Sequence, residues 1–355
     1  MKTISTNPLL LLIMILSLGC PLFGSDNQNK TIKIENIKAA PGEISSGFLD
    51  VPEKNKIKTK IPVTIINGKK PGKTLALVAG VHGYEYPPIL ALQRFKQWIS
   101  PEDLKGALIL VHIANLPGFQ KRTIYYNPYD WKNLNRVFPG NPEGTLAERT
   151  AYILTEKIIK HCDCLIDLHC GDGNEALIPY TYWVVTGNNT LDQKAKDLAL
   201  AFGIEKIIID KIQTNDLSKS IYLGNTASLL EKPAISIESG YLGRTDEESI
   251  VRVVKGILSV MKHLNMIEGA ADFVKEPVWI DKYQVIYAET TGLFYPLKKM
   301  GETVKKGETV GYTTDYFGNK TAELSAPFKG IVLYIVKTPP ANKGEPLFEI
   351  GHLKD

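Results

Sequence analysis

Val78 to Glu85, VAGVHGYE, decides how this chain is read. The apolar run KTLALVAGV from Lys73 to Val81 has strand character, and Pro87 and Pro88 follow almost at once. Proline is tolerated in the first turn of a helix and poorly inside one, so HGYE reads as a loop between a buried strand and a helix over Pro88 to Ile99. His82 and Glu85 then stand at the carboxyl end of a strand, where open α/β sheets hold ligands. An imidazole and a carboxylate three residues apart suit the first two ligands of a zinc site, with a third supplied from elsewhere and a fourth position left to water. HxxE alone is a short pattern that solvated or capping groups also produce, so the site depends on what the rest of the chain adds.

Outward from that stretch, strands and amphipathic helices alternate. Segments with strand character between Thr31 and Gly68 predict an edge of the sheet, and ALILVHI from Ala107 to Ile113 predicts a second buried strand. His112 inside it reads as a hydrogen-bonded core imidazole. Asn115 to Gly144 has no sustained period and is dense in Asn, Pro, Gly, Tyr and Arg; long connections of this kind inside a compact domain are usually functional. Thr145 with Glu148 three residues on opens a helix over Leu146 to His161. DCLIDLH then delivers His169 to a strand end just before Gly171, with Asp167 on the same face as an acceptor for the ring or a plain strand-end acid. Further strands are expected at 177–185, 207–209 and 234–238, with helices at 191–202, 217–230 and 245–266. In AISIESG, Glu238 ends its strand before Ser239 and Gly240, bringing another carboxylate to the same rim. Such alternation implies a mostly parallel mixed sheet flanked by helices. After Gly269 only short strand-like pieces broken by Gly and Pro follow, which marks 282–353 as a small all-β domain after a catalytic domain over 31–268.

At 355 residues, 44% hydrophobic and 23% charged, the chain is an ordinary globular protein. A formal charge of +4, from 42 basic and 38 acidic residues with no long basic run, argues against a nucleic-acid partner. Leu9 to Leu18, LLLLIMILSL, is too short to span a bilayer and has the form of a secretory signal core, so residues 1–24 are expected to be a signal peptide and the mature protein exported to the periplasm or envelope. SLGC ending at Cys20 is an imperfect lipoprotein signal and offers a lipid anchor as a second route. Cys162, Cys164 and Cys170 read as small buried hydrophobes, the first two pointing the same way along a strand.

Taken together, HGYE at 82–85, NLNR at 133–136, DLH at 167–169 and IESG at 237–240 resemble the succinylglutamate desuccinylase/aspartoacylase family of zinc carboxypeptidase-like hydrolases. The resemblance runs from about Lys73 to the end, because the tail is similar to that family's barrel-sandwich domain. It implies that His82, Glu85 and His169 bind one Zn²⁺ per chain, that Glu238 is general base and acid, and that Asn135 with Arg136 holds a substrate carboxylate. It also implies an oxyanion-stabilising arginine at Arg122; where many relatives have a second arginine two positions on, this chain has Ile124. Lys320, in FGNKTAELSAP, lacks the surroundings of a carrier lysine, so no attached biotin or lipoyl group is expected; the tail should pack beside the active-site mouth and narrow it.

The implied activity is zinc-dependent removal of an N-acyl group from a small amino acid or related carboxylate. Two alternatives are a zinc carboxypeptidase or amidase acting on peptidoglycan peptides, and a non-catalytic envelope binding protein. A binding protein would need carboxylate recognition but no Glu238.

Overall fold

The computed structural model describes residues 29–353. The signal-like segment and Cys20 lie outside the described residues. A small hairpin, β1 (Ile32–Ile34) with β2 (Ile37–Ala39), packs near the start of the main sheet. That sheet is built from β3 (Glu43–Lys54), β4 (Ile57–Asn67), β5 (Lys70–Ala79), β6 (Lys105–Val111) and β7 (Cys164–His169). After β8 (Glu175–Leu177), which leaves the sheet, it continues with β9 (Tyr180–Val185), β10 (Lys206–Lys211), β11 (Ala234–Glu238) and β12 (Val278–Ile280). The nine strands lie in the order β12-β10-β9-β11-β7-β5-β6-β4-β3. Five of the eight pairings are parallel; β3–β4, β4–β6 and β9–β11 are antiparallel. The expected mostly parallel mixed sheet is present, with β3 at its edge.

The apolar run in β5 is continuous because both faces of the sheet are covered. Leu75, Leu77 and Ala79 face one core with α1 (Tyr86–Trp98) and α6 (Glu247–His263), whereas Ala76 and Val78 face the other with α3 (Leu146–Lys157). Leu75 and Leu77 are 0% exposed, and each such burial contributes about 1.5–3 kcal/mol. The α1 prolines fall in its first turn, so the helix begins at Tyr86, ahead of the position that starting at a proline predicts. The helix expected over 146–161 ends at Lys157 and continues as a separate 3-10 turn over Ile159–His161. The strand expected over 177–185 divides at Ile178 and Pro179 into β8 and β9, since proline cannot donate to a ladder. Cys162 and Cys164 do not point the same way: Cys162 precedes β7, and the two thiols enter opposite cores.

The remaining strands are antiparallel. β13 (Tyr283–Tyr287), β20 (Pro346–His352), β18 (Gly330–Val336) and β15 (Thr303–Val304) form one sheet, which β8 joins by pairing with β18. β17 (Lys320–Ser325), β16 (Thr309–Thr314), β14 (Gly292–Pro296) and β19 (Pro340–Ala341) form the other. A core around Val310, Leu324, Phe348 and Ile350 lies between them. Leu177, Tyr180, Ile208, Ile280 and Leu333 make a further cluster that joins these strands to the main sheet.

Candidate active site and metal centre

β5, β7 and β11 are neighbours and parallel, so their carboxyl ends open at the same rim. β7 ends at His169, which is in register with Glu238, the last residue of β11. The chain leaves β5 through Gly80, whose φ of +69° suits glycine, and enters HGYE. A Cβ on Gly83 would lie 2.0 Å from the Phe119 backbone nitrogen, so only glycine lets this loop press against α2 (Leu116–Lys121). Glu85 is the N-cap of α1, but its carboxylate makes no cap bond and turns toward the two histidines.

His82 Nδ1 lies 2.6 Å from Glu85 Oε1, and His169 Nδ1 lies 2.9 Å from Glu85 Oε2. Each ring's other nitrogen faces an acceptor: His82 Nε2 is 3.1 Å from Asn133 Oδ1 and His169 Nε2 is 3.0 Å from Asp167 Oδ1. The Asn133 orientation is fixed because the same oxygen accepts the Asn135 backbone N–H at 2.8 Å. Asn133 therefore sets the His82 proton at Nε2 and turns that ring's Nδ1 lone pair toward the Glu85 carboxylate, itself an acceptor. Two acceptors facing each other need a proton or a cation between them. An extra proton would serve, and so would a metal ion, whose ligand atoms from His82, Glu85 and His169 lie within 4.8 Å of one another. Two imidazoles and a carboxylate are a donor set that zinc takes, with the cavity side left open.

The electrostatics agree. Burial opposes a charged His169, yet Asp167 and Glu85 outweigh it and hold its pKa well above the ordinary value. His82 is raised likewise, burial being overcome by Glu85. Glu85 is drawn down to about 2, because His169 and His82 overcome the burial that would raise it. For Glu238, burial wins and Glu85 and Glu175 add to it, against the pull of His169, so its pKa stands well above the carboxylate range. Glu238 Oε2 is buried without a hydrogen-bond partner.

These groups open onto a cavity of about 500 Å³. His82, Glu85, His169, Glu238, Asn135 and Arg136 all line it. Asn135 and Arg136 come from the 3-10 turn Leu134–Arg136, capped by Asn133. Asn135 Oδ1 accepts the Leu223 N–H at 2.9 Å, tying this loop to α5 (Leu223–Leu229) and leaving its amide nitrogen 3.5 Å from His169 Nε2. Arg136 stands exposed at the rim, its guanidinium 4.7 Å from the Tyr222 ring centroid. Arg122 is not brought in. It is the exposed, left-handed C-cap of α2, with φ of +54°, and is not among the cavity-lining residues.

Sequence reasoning missed Asn133, although it stands in the quoted NLNR motif. It also missed the far wall, where Tyr283, Tyr287, Tyr334 and Glu349 come from the C-terminal strands and Tyr182 and Asp210 from β9 and β10. Cys170 is buried, and burial together with Glu85 and Glu238 keeps its thiol well above the usual range, so it is shielded from oxidation. His112 is the expected core imidazole, its Nε2 2.8 Å from Thr64 Oγ1.

Comparison with known proteins follows the same lines. Residues 71–264 match the succinylglutamate desuccinylase/aspartoacylase catalytic domain. The chain is 29% identical over 282 residues to N-alpha-acetyl-L-2,4-diaminobutyric acid deacetylase of Halomonas elongata, covering 77% of this chain and 80% of that protein. Its fold is similar to that of a succinylglutamate desuccinylase/aspartoacylase from Rhodobacter sphaeroides, with TM-score 0.78, 24% identity and coverage of 92% of this chain and 100% of the other. A succinylglutamate desuccinylase from Silicibacter sp. TM1040 gives TM-score 0.77 at 25% identity, covering 91% and 100%. With more than half its length matched and with the fold in common, this chain belongs to the succinylglutamate desuccinylase/aspartoacylase family of deacylases.

Proposed function

We propose that the protein is a zinc-dependent amidohydrolase that releases a carboxylic acid from the nitrogen of an N-acyl amino acid. His82, Glu85 and His169 would hold the ion. When bound, zinc supplies Lewis acidity, lowering the pKa of water toward 7 and polarising the amide carbonyl. Glu238 accepts the proton of the attacking water and returns it to the amine as the carbon–nitrogen bond breaks, leaving a free carboxylate and a free amine. Arg136 offers a planar two-donor fork to the substrate's own carboxylate, and the remaining Asn135 N–H can add a directional bond. Tyr283, Tyr287 and Tyr334 of the C-terminal strands line one wall of the cavity.

The observation that carries this reading is the unpartnered, buried Glu238 oxygen at the wall of the cavity that also holds the His82–Glu85–His169 cluster. Its test is elemental analysis of the purified protein with turnover of an N-acyl amino-acid panel. About one zinc per chain is expected, with chelator-sensitive hydrolysis. Glu238→Gln should keep the metal and lose on the order of a hundredfold to ten-thousandfold in turnover. Full activity without metal, or near-normal turnover of the variant, would overturn it.

We read 31–268 as the catalytic unit and 282–353 as the unit that walls the cavity. Their separate sheets support this division, although β8 crosses it and β12, from the connection between the two units, joins the main sheet. Export through residues 1–24 is proposed from the apolar block at Leu9 to Leu18. The mass of the mature N-terminus separates simple cleavage near Gly24 from lipidation at Cys20.

A further inference from the structure

We propose that Tyr84 is a positioning residue whose ring locks the loop carrying His82 and Glu85 to the two loops that follow His169 and Glu238, and so fixes the spacing of the proposed metal ligands. This rests on the hydrolase reading above and gives a role to the one side chain of HGYE that does not line the cavity.

β5, β7 and β11 bring three loops to one rim, but strand pairing stops where the strands end. Beyond that point the loops after β7 and β11 stay joined: the Ser239 N–H donates to the His169 carbonyl at 3.0 Å and the Gly171 N–H to the Gly240 carbonyl at 2.9 Å. HGYE has no such link. Among the described residues, its backbone makes no hydrogen bond to the backbone of either loop. Within HGYE, what reaches across besides the Glu85 carboxylate is the Tyr84 ring. A Cβ on Gly243 would lie 2.4 Å from both Cδ1 and Cε1 of that ring, and one on Gly173 would lie 2.9 and 3.0 Å from the same two atoms. One edge of the ring therefore rests on both loops at once, in a slot that exists because both positions are glycine. The contact continues into α1, where Pro87 Cγ would stand 2.7 Å from a Cβ on Gly240.

The slot is tied in turn to the C-terminal strands. Leu242, next to Gly243, donates its N–H to the Glu175 carbonyl at 2.8 Å and packs against the C-terminal core, and β8, which begins at Glu175, pairs with β18. A constellation that binds a metal has to be held to within about 0.5 Å. The bonds inside the HGYE loop are too few for that: Glu85 N–H to the His82 carbonyl is long at 3.5 Å, and Tyr86 N–H to the Tyr84 carbonyl is 3.1 Å. Gly83 pressed against α2 holds one side of the loop, and the Tyr84 ring between Gly173 and Gly243 holds the other.

The test measures zinc affinity of the full chain by chelator competition, the visible spectrum of its cobalt form, and melting temperature and amide hydrogen exchange of the metal-free protein. Tyr84→Phe keeps the ring and should stay within about threefold of the parent in zinc affinity, whereas Tyr84→Ala should lose about tenfold or more, as groups that orient ligands do. The alanine variant should also change the cobalt spectrum and exchange faster in all three loops. Tyr84→Leu takes its place where alanine does not fold. Gly173→Ala drives a methyl into the ring, so it should weaken zinc binding about fivefold or more in the parent and less than about twofold where the ring is already gone. A lower melting temperature with unchanged zinc affinity and cobalt spectrum would make Tyr84 structural only and overturn the proposal. So would a loss in Tyr84→Phe as large as in Tyr84→Ala, an equal effect of Gly173→Ala in both backgrounds, or faster exchange confined to HGYE. If neither parent nor variants bind zinc while exchange rises in all three loops of Tyr84→Ala alone, the hydrolase reading fails and the lock survives.

Discussion

Asp167 gives the sharpest test of how the proposed metal centre would be held. It is 1% exposed, its Oδ1 lies 3.0 Å from His169 Nε2 as an ion-pair contact, and neither of its oxygens has an aligned hydrogen-bond donor among the described residues. If His169 held the proposed ion through Nδ1, its Nε2–H would have Asp167 as its acceptor, which would fix the ring and increase its basicity. Asp167→Asn keeps an acceptor of the same shape but removes the charge. A hydrogen bond to a charged group contributes about 1.5–3 kcal/mol and a neutral one about 0.5–1.5, so the loss is on the order of 1.4 kcal/mol, or about tenfold in zinc affinity. Asp167→Ala leaves the N–H buried with no acceptor, adding about 1–3 kcal/mol and taking the loss toward a hundredfold. Chelator-competition titration of each metal-free protein, with melting temperatures alongside, measures both. Unchanged zinc affinity in both variants, or alanine binding no worse than asparagine, would refute the reasoning.

The other predictions probe the rim, the excluded arginine and the core. Arg136→Lys should raise KM for free-acid substrates about tenfold while affecting matched amides far less, because an ammonium loses the fork geometry and the stacking on Tyr222. Equal losses on acid and amide with a lower melting temperature would make Arg136 a structural bridge. Arg122→Ala should lower kcat/KM by less than about threefold, since Arg122 is exposed and off the cavity; a hundredfold loss would restore the oxyanion role that the resemblance implies. His112 is held down to about 4 by burial and by Lys96, so the unfolded chain, near 6.5, binds its proton first. Its contribution is therefore full above about pH 6.5 and is lost as pH falls toward 4, at up to about 1.4 kcal/mol per pH unit and about 2 kcal/mol in all after allowing for partial exposure. His112→Asn should flatten that part of the stability curve in urea titrations, and an unchanged slope would count against the assignment.

The strand–loop–helix around HGYE, the alternating elements and the strand-end placement of His169 and Glu238 were legible in the sequence. They rest on local rules, because a run buried on both faces, a proline in a first turn and a carboxylate before Ser-Gly each reveal themselves within ten residues. Convergence was not local. That β5, β7 and β11 lie side by side follows from pairings between residues about 70 to 90 positions apart, and only those pairings bring Glu85 to both histidines. Arg122 and Asn133 show the same division at one loop. Both stand among plausible polar residues, yet backbone geometry turns Arg122 outward at a left-handed cap and seats Asn133 against the His82 ring. Glu349 carried no signal at all, being a carboxylate in an ordinary β-strand pattern some 180 residues beyond His169. Its charge becomes a feature of the cavity only once the C-terminal sheet packs against β9 and β10 and removes it from water.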